Sequence, residues 1–196
     1  MLPILTKTFN LPPINKKEVL RYSGCSSNAD SELLLRLDEA IEISSRSIDP
    51  RVCFCELDLT DCDFPPSLDL AKNLRDSKKI IIFAATIGIS IDRLISRYSV
   101  ISPATALFLD AIGSERIEAL CDAFENYQKE KKAEEGYILR PRFSAGYGDL
   151  SIEYQKNIFE LLNPASHIGL SLCESYLMSP SKSVTALIGI EKIKGI

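Results

Sequence analysis

The sequence predicts an α+β fold, in which an antiparallel or mixed sheet is covered by helices. Three observations carry this prediction. The run Ile80-Ile81-Ile82-Phe83-Ala84-Ala85 is continuously apolar, as in a strand buried on both faces. The stretch from Ser102-Pro103 to about Ala133 has the apolar spacing of one long helix. Residues 170–178 and 183–190 have the pattern of two further strands, joined through Pro180-Ser181-Lys182.

Composition bounds the class of protein. The chain has 196 residues, 45% hydrophobic and 26% charged, which is typical of a globular protein, and we expect one domain over residues 1–196. The net charge of −4 argues against a general nucleic-acid binder. No apolar run approaches the roughly 20 residues that cross a membrane, and residues 1–5 do not resemble a signal peptide. We therefore expect a cytoplasmic protein without nucleic-acid or membrane partners.

The N-terminal part predicts an extended segment followed by two helices. Residues 1–14 contain three prolines and are expected to lie along the sheet. Asn15 has the spacing of a capping box and predicts the start of a short helix. A second helix is predicted over 31–47, capped by Asp30 or Ser31.

Residues 51–59 alternate as a strand, with Cys53 and Cys55 on its more apolar face. Such a pair can hold a metal or a redox disulfide, or it can pack as small buried hydrophobes. No Cys-x-x-Cys spacing or histidine partner accompanies it, so we predict no metal site. Without a signal peptide, all six cysteines are expected to be free thiols; they are Cys25, Cys53, Cys55, Cys62, Cys121 and Cys173.

The middle of the chain predicts further helices. Ser67 caps a helix that ends at Leu74. Thr86-Ile87-Gly88 joins the apolar strand to a helix over 89–98, which is either a plain connection or a set of backbone N–H groups for an anion. Gly113 inside the long helix marks a kink or a point of close packing. Residues 151–162 have helical periodicity, and Ser166 to Gly169 is predicted as a turn into the next strand.

The stretch Arg142-Phe143-Ser144-Ala145-Gly146-Tyr147-Gly148-Asp149 concentrates groups suited to ligand binding. Arg142 offers a planar fork of donors for a carboxylate or phosphate. Gly146 and Gly148 let a ligand approach the backbone closely, and Tyr147 can stack on a flat ring. The alternative is a surface turn that joins two elements.

Arg142-x-x-x-Gly146-Tyr147 resembles the R-x-x-x-G-Y signature of the S-adenosylmethionine-binding activation domain of cobalamin-dependent methionine synthase. Ala145 departs from the family pattern, which has proline before Gly-Tyr. The resemblance extends over about residues 140 to 190, through Glu160-Leu161-Leu162, Ile168-Gly169, Leu172-Cys173-Glu174-Ser175-Tyr176, Met178-x-Pro180 and Ser183-Val184. Thr86-Ile87-Gly88 and Asp110-Ala111-Ile112-Gly113-Ser114 resemble stand-alone members of the family.

The resemblance implies an activation-domain-like fold that binds S-adenosylmethionine. Arg142 would pair with the methionyl carboxylate, and Tyr147 would flank the ligand. Glu174 would be a ligand contact or a structural carboxylate. The implied cofactor-binding residues are Arg142, Ser144, Ala145, Gly146, Tyr147 and Glu174. The expected groove has the 142–149 loop and a strand segment over 174–178 as its floor, with Thr86 to Gly88 at its edge.

The implied function is reactivation of a separate methionine synthase, with no catalytic residue in this chain. S-adenosylmethionine would be the bound cofactor, cobalamin would be carried by the partner, and a low-potential donor such as flavodoxin would supply an electron. The sequence agrees, because His167 is its only histidine and no G-x-S-x-G motif is present. Two alternatives are a non-catalytic docking module for a corrinoid protein and a methyltransferase for another acceptor.

Overall fold

The computed structural model describes residues 3–25 and 30–193, and a five-stranded sheet lies at its centre. Every neighbouring pair of strands is antiparallel, which confirms the predicted α+β class and selects its antiparallel form. In spatial order the strands are β1 (Leu5–Thr8), β2 (Arg51–Asp58), β3 (Ser77–Thr86), β7 (Ser183–Lys192) and β4 (Tyr137–Leu139).

The central strands are buried on both faces. Phe54 of β2 lies opposite Phe83 of β3, which lies opposite Ala186 of β7. Val52 and Phe54 are buried as well as Cys53 and Cys55, so this part of β2 is covered on both faces. Layers of helices on both sides of the sheet account for this burial.

One face of the sheet is covered by four helices and the other by three short ones. The first group is α1 (Lys16–Tyr22), α2 (Ser31–Ser44), α4 (Ser90–Ile101) and α5 (Pro103–Glu134). The second is α3 (Leu68–Leu74), α6 (Gln155–Leu162) and α7 (Pro164–Ile168), with 3-10 turns at Leu59–Asp61 and Ile152–Tyr154. Among the described residues, no helix has the length and apolar character needed to cross a membrane.

Local signals for helix starts are confirmed. The side chain of Asn15 accepts from the N–H groups of Lys17 and Glu18. Asp30 accepts from Leu33, and Ser67 accepts from Leu70. Each cap satisfies backbone donors that the first turn of a helix leaves free.

The long helix α5 organises the larger core. Phe124 packs against Phe83, with ring centroids 4.7 Å apart, and against Phe54 at 5.1 Å. The helix continues through Gly113, where an added Cβ would lie 2.9 Å from Cγ of Lys182. Close packing, rather than a kink, therefore explains this glycine.

A buried ion pair on α5 holds the N-terminal segment. Arg116 pairs with Glu115, and both side chains are buried. Arg116 Nη1 donates to the carbonyl of Pro12 at 2.6 Å, and Glu115 Oε1 accepts from the N–H of Asn15 at 3.0 Å. The extended segment also supplies β1, so the expectation that it lies along the sheet is confirmed.

Three sequence predictions have the wrong boundaries. The strand predicted over 170–178 is a hairpin of β5 (Ser171–Leu172) and β6 (Met178–Ser179), whose turn contains Tyr176 at φ +62°. The turn predicted at 166–169 is the end of α7, which stops at Gly169 with φ +71°. The helix predicted over 31–47 ends at Ser44.

Candidate functional site

The motif loop of residues 142–149 is attached to the sheet at its beginning. The N–H of Phe143 donates to the carbonyl of Leu187 in β7 at 2.9 Å, and Leu187 donates back at 2.8 Å. Ala145 is buried in the core beneath the loop. The loop therefore starts as an extension of the sheet rather than as a free surface turn.

Arg142 is bound by an acid trio on α5, which we define as Glu118, Asp122 and Glu125. Nη2 of Arg142 donates to Glu118 Oε2 at 2.6 Å. Nη1 donates to Glu125 Oε1 at 2.7 Å and to Asp122 Oδ1 at 3.0 Å. The trio residues are four and three positions apart, so they lie on one face of the helix.

The electrostatic setting keeps Arg142 charged. Burial alone would lower its pKa, but the neighbouring Cys121 and the carboxylates of Glu125 and Glu118 raise the pKa above its ordinary value. The Arg142 side chain is 27% exposed, and Glu125 is 13% exposed. The guanidinium is thus a fixed cation at the edge of the surface, close to acids on one side.

The middle of the loop is a tight turn. Gly146, at φ +85°, donates to the carbonyl of Leu150 at 2.9 Å, and Tyr147 donates to the carbonyl of Ser144 at 3.1 Å. An added Cβ at Gly146 would lie 3.0 Å from Ile152 Cδ1. A side chain at this position would meet both an unfavourable φ and a close neighbour.

The end of the loop caps helix α3 from a distance, a role that the sequence analysis missed. The Asp149 carboxylate accepts from the Ser67 hydroxyl and from the N–H groups of Leu68 (2.6 Å) and Asp69 (3.2 Å). The Ser67 hydrogen bond, followed by those from the backbone, lowers the pKa of Asp149. Gly148 makes the approach possible, because an added Cβ would lie 2.3 Å from Asp69 Oδ2.

Groups that remain available lie at the centre of the loop. In the described part of the chain, the N–H groups of Ser144 and Ala145 donate to no protein acceptor. Tyr147 is 70% exposed and touches the edge of the Phe143 ring, with centroids 6.2 Å apart. Arg142, Ser144, Ala145, Gly146 and Tyr147 are therefore brought together, with two backbone donors and one aromatic side chain unused.

Glu174 is not part of this arrangement. It is exposed in the turn of the hairpin, and within the described structure no hydrogen bond or ion pair joins it to residues 142–149. The turn contacts α6 through Lys156, whose ammonium lies 5.1 Å from the centre of the Tyr176 ring. The prediction of a strand over 174–178 is wrong, because these residues reverse the chain; their place in a groove floor stays a prediction.

Thr86 to Gly88 forms a connection, with its N–H groups already used. Ile87 donates to the carbonyl of Lys182, and Gly88 donates to Thr86 Oγ1. Two of the segment's N–H groups therefore already have protein acceptors, and anion binding at the start of α4 stays a prediction. Lys182 bridges this segment and residues 110–114, because its carbonyl accepts from Ile87 and its Nζ pairs with Asp110 Oδ1 at 2.7 Å and donates to Ser114.

The thiols are free, and several are deeply buried. Burial raises the pKa of Cys53, Cys55 and Cys121 to about 12 in each case. Over residues 3–25 and 30–193, no group of three metal-binding side chains occurs. Cys53 and Cys55 accordingly behave as packing residues.

A cleft of about 600 Å³ adjoins the acid trio. Glu118 and Asp122 belong to both the cleft and the trio. Residues 142–149 are not among the residues that line this cleft. Its other lining residues are Pro12, Pro13, Asn15, Glu18, Tyr22, Glu115, Ala119, Ala123 and Asn126.

Comparison with known proteins shows the fold. The structure matches the crystal structure of the MetH reactivation domain bound to AdoHcy, with a TM-score of 0.72. The fold is that of this domain. The match covers 100% of this chain and 80% of the other, at 15% sequence identity. No protein-family model matches the sequence, and no curated protein matches it either.

Proposed function

We propose that this chain is a stand-alone reactivation subunit, which binds S-adenosylmethionine and presents its methyl group to the oxidised corrinoid of a separate methionine synthase. The observation that carries the proposal is the combination of the reactivation-domain fold over the full chain with an ordered R-x-x-x-G-Y loop. The domain in the matched structure is bound to AdoHcy, the demethylated form of the ligand proposed here.

The loop has donors suited to the methionyl end of that ligand. Arg142 uses Nη1 and Nη2 for the acid trio, and its Nε donates to no acceptor in the described chain. The free N–H groups of Ser144 and Ala145 lie two and three residues further on. A carboxylate can accept from such a set, because charge-assisted hydrogen bonds to arginine favour carboxylate oxygens.

The chemistry asks for positioning rather than acid–base catalysis. The methyl group must lie in line with the acceptor, and holding two reactants in this geometry is a large part of such a rate enhancement. The partner's corrinoid would supply cobalt as the methyl acceptor, and a low-potential donor such as flavodoxin would supply one electron. This chain's residues bind and orient the sulfonium ligand, and S-adenosylhomocysteine leaves.

One observation favours a second candidate, a non-catalytic docking module for a corrinoid protein. Arg142 is already bound by three carboxylates, so its position in the motif also fits a purely structural role. In that case the fold would dock on the corrinoid protein without binding S-adenosylmethionine.

Calorimetric titration of the purified chain with S-adenosylmethionine separates the two candidates. Saturable binding supports the reactivation subunit, and no binding at millimolar ligand rejects it and favours the docking module. In a second step, the chain is mixed with a methionine synthase core that lacks its own activation domain, S-adenosylmethionine and a low-potential reductant. Recovery of the methylcobalamin spectrum is the expected result.

Tyr147→Ala tests the loop in the same assay. Because Tyr147 is 70% exposed, its loss should slow the recovery and leave the melting temperature nearly unchanged. Val100→Ala is the matched control, since Val100 is 86% exposed on α4 and lies outside the motif. Equal recovery rates for the two variants would remove Tyr147 from the site.

A further inference from the structure

We propose that the acid trio makes this site select the cationic sulfonium of S-adenosylmethionine over its neutral thioether product, S-adenosylhomocysteine. The inference rests on the proposed function and goes beyond it. It assigns a specificity role to Glu118, Asp122 and Glu125, none of which belongs to the R-x-x-x-G-Y motif. Their ordinary role would be to hold Arg142 in place.

The first step is the local charge. Three carboxylates contact the single guanidinium of Arg142, at 2.6, 3.0 and 2.7 Å. Lys129 is a further cation near the trio, with Nζ 3.5 Å from Glu125 Oε2 and 53% of its side chain exposed. Two cations against three anions leave one negative charge in surplus. Holding one arginine needs one carboxylate, so two more exceed that need.

The second step is the solvent exposure of the trio. Glu125 is 13% exposed, whereas Glu118 is 43% and Asp122 is 67% exposed. Glu125 is therefore committed to the Arg142 and Lys129 contacts. Glu118 and Asp122 face the surface, where a ligand seated against Arg142 would come close to them. Salt screens a charge at Asp122 more than one at Glu125, because Asp122 is the more exposed of the two.

The third step is the difference between the two ligands. Both have the same carboxylate, ammonium group and adenosine, and they differ by one methyl group and one positive charge on sulfur. With the ligand carboxylate on Arg142, the sulfur lies within about 5 Å of the carboxylate carbon, since only three C–C bonds and one C–S bond separate them. The surplus negative charge attracts the sulfonium and has no matching effect on the thioether. At such distances near a protein surface, one unit charge changes affinity by about threefold to tenfold.

This selectivity matters for turnover. Methyl transfer removes the positive charge from the ligand, so the product loses the attraction that favoured its precursor. The trio would thus assist product release without any acid–base chemistry, while Arg142 keeps its charge throughout.

The test is calorimetry on the full chain with each ligand separately, for wild type, Glu118→Gln and Asp122→Asn. The amide replacements keep an oxygen that accepts from Arg142 and remove the charge. We expect wild type to bind S-adenosylmethionine more tightly, by about threefold to tenfold. In each variant, the ratio of the S-adenosylhomocysteine Kd to the S-adenosylmethionine Kd should fall by about threefold, because S-adenosylmethionine binds more weakly. If the trio has a purely structural role, each variant should lower the affinity for both ligands equally and leave the ratio unchanged.

Glu134→Gln is the control, because Glu134 is an exposed acid at the end of the same helix, and its ratio should equal that of wild type. Raising the salt concentration should lower the wild-type ratio and leave the variants less affected. Equal affinities in wild type, or an unchanged ratio in both trio variants, would overturn this inference and leave the proposed function standing. Failure of both ligands to bind wild type would overturn both.

Discussion

The motif loop and the hairpin over residues 171–179 belong to the same matched stretch of sequence, but the structure holds them very differently. The loop is joined to β7 through Phe143, to α5 through Arg142 and to α3 through Asp149. The hairpin has two strands of two residues each, and Glu174 lies exposed in its turn.

The comparison distinguishes residues that several contacts hold in place from residues that only match the family's sequence pattern. Groups held by several independent contacts lose little freedom when a ligand binds, which is the condition for a preorganised site. Arg142 meets that condition and Glu174 does not. The predictions below compare the two regions, from the largest expected effect to the smallest.

Thiol labelling should give the largest contrast. Cys121 lies beneath Arg142 with a pKa raised by burial to about 12, whereas Cys173 is exposed in the hairpin. At pH 8 only about one part in ten thousand of a thiol with that pKa is thiolate, and burial excludes the reagent as well. Mass spectrometry after mild alkylation should therefore show Cys173 modified and Cys121 intact until denaturant is added. Early labelling of Cys121 in the native protein would show that the α5 contact is not stable.

Removing Arg142 should weaken both ligand binding and the fold. Arg142→Ala should reduce S-adenosylmethionine affinity by about 1.5–3 kcal/mol, the scale of a charge-assisted hydrogen bond. It should also lower the free energy of unfolding by about 1–3 kcal/mol, because Glu125 is left largely buried without its arginine. Titration and urea denaturation measure the two effects. Arg93→Ala is the control: Arg93 is exposed, forms no ion pair in the described structure, and should change stability by less than about 0.5 kcal/mol.

The Asp149 cap should make part of the stability depend on acid pH. Its pKa is lowered in the folded state, so the cap stabilises fully above the unfolded pKa of about 3.9 and loses its effect as pH falls through the folded value. Asp149→Asn should therefore lower the melting temperature at pH 7. The difference from wild type should shrink toward zero as the pH falls through the lowered folded pKa of Asp149. A difference independent of pH would show that the carboxylate charge does not matter at α3.

The smallest effect is expected in the hairpin. Glu174→Ala should change the free energy of unfolding by less than about 0.5 kcal/mol, because Glu174 is exposed. Its affinity for S-adenosylmethionine should stay within about threefold of wild type, since such a change equals less than 1 kcal/mol. A tenfold loss of affinity would mean that the hairpin contacts the ligand. The difference between a firmly held loop and an exposed hairpin would then apply only to the protein without ligand.

The sequence predicted features that depend on neighbouring residues. Asn15, Asp30 and Ser67 are capping residues because their side chains reach N–H groups two or three positions away. The apolar run at 80–85 is a buried strand because helices on both faces require that pattern.

The sequence did not predict contacts between distant segments. Asp149 caps a helix that begins about 80 positions earlier, and no local capping pattern encodes such a contact. The sequence analysis did not single out Glu118, Asp122 and Glu125, because their contacts with Arg142 join residues 17 to 24 positions apart. The hairpin was missed because its turn places Tyr176 at a positive φ, a conformation that tyrosine rarely adopts.

The pairing of β3 with β7 at the centre of the sheet has a consequence for how fast the chain folds. Thr86 and Ser183 lie 97 positions apart and are hydrogen-bonded at the end of this pair. The chain loses the entropy of closing this long loop before the stabilising contacts between the two strands form. Folding is therefore expected to be slow for a chain of this size. Until β7 is added, one edge of the apolar strand Ser77–Thr86 stays unpaired. Partly folded chains should therefore associate through that edge, and refolding yield should fall as protein concentration rises.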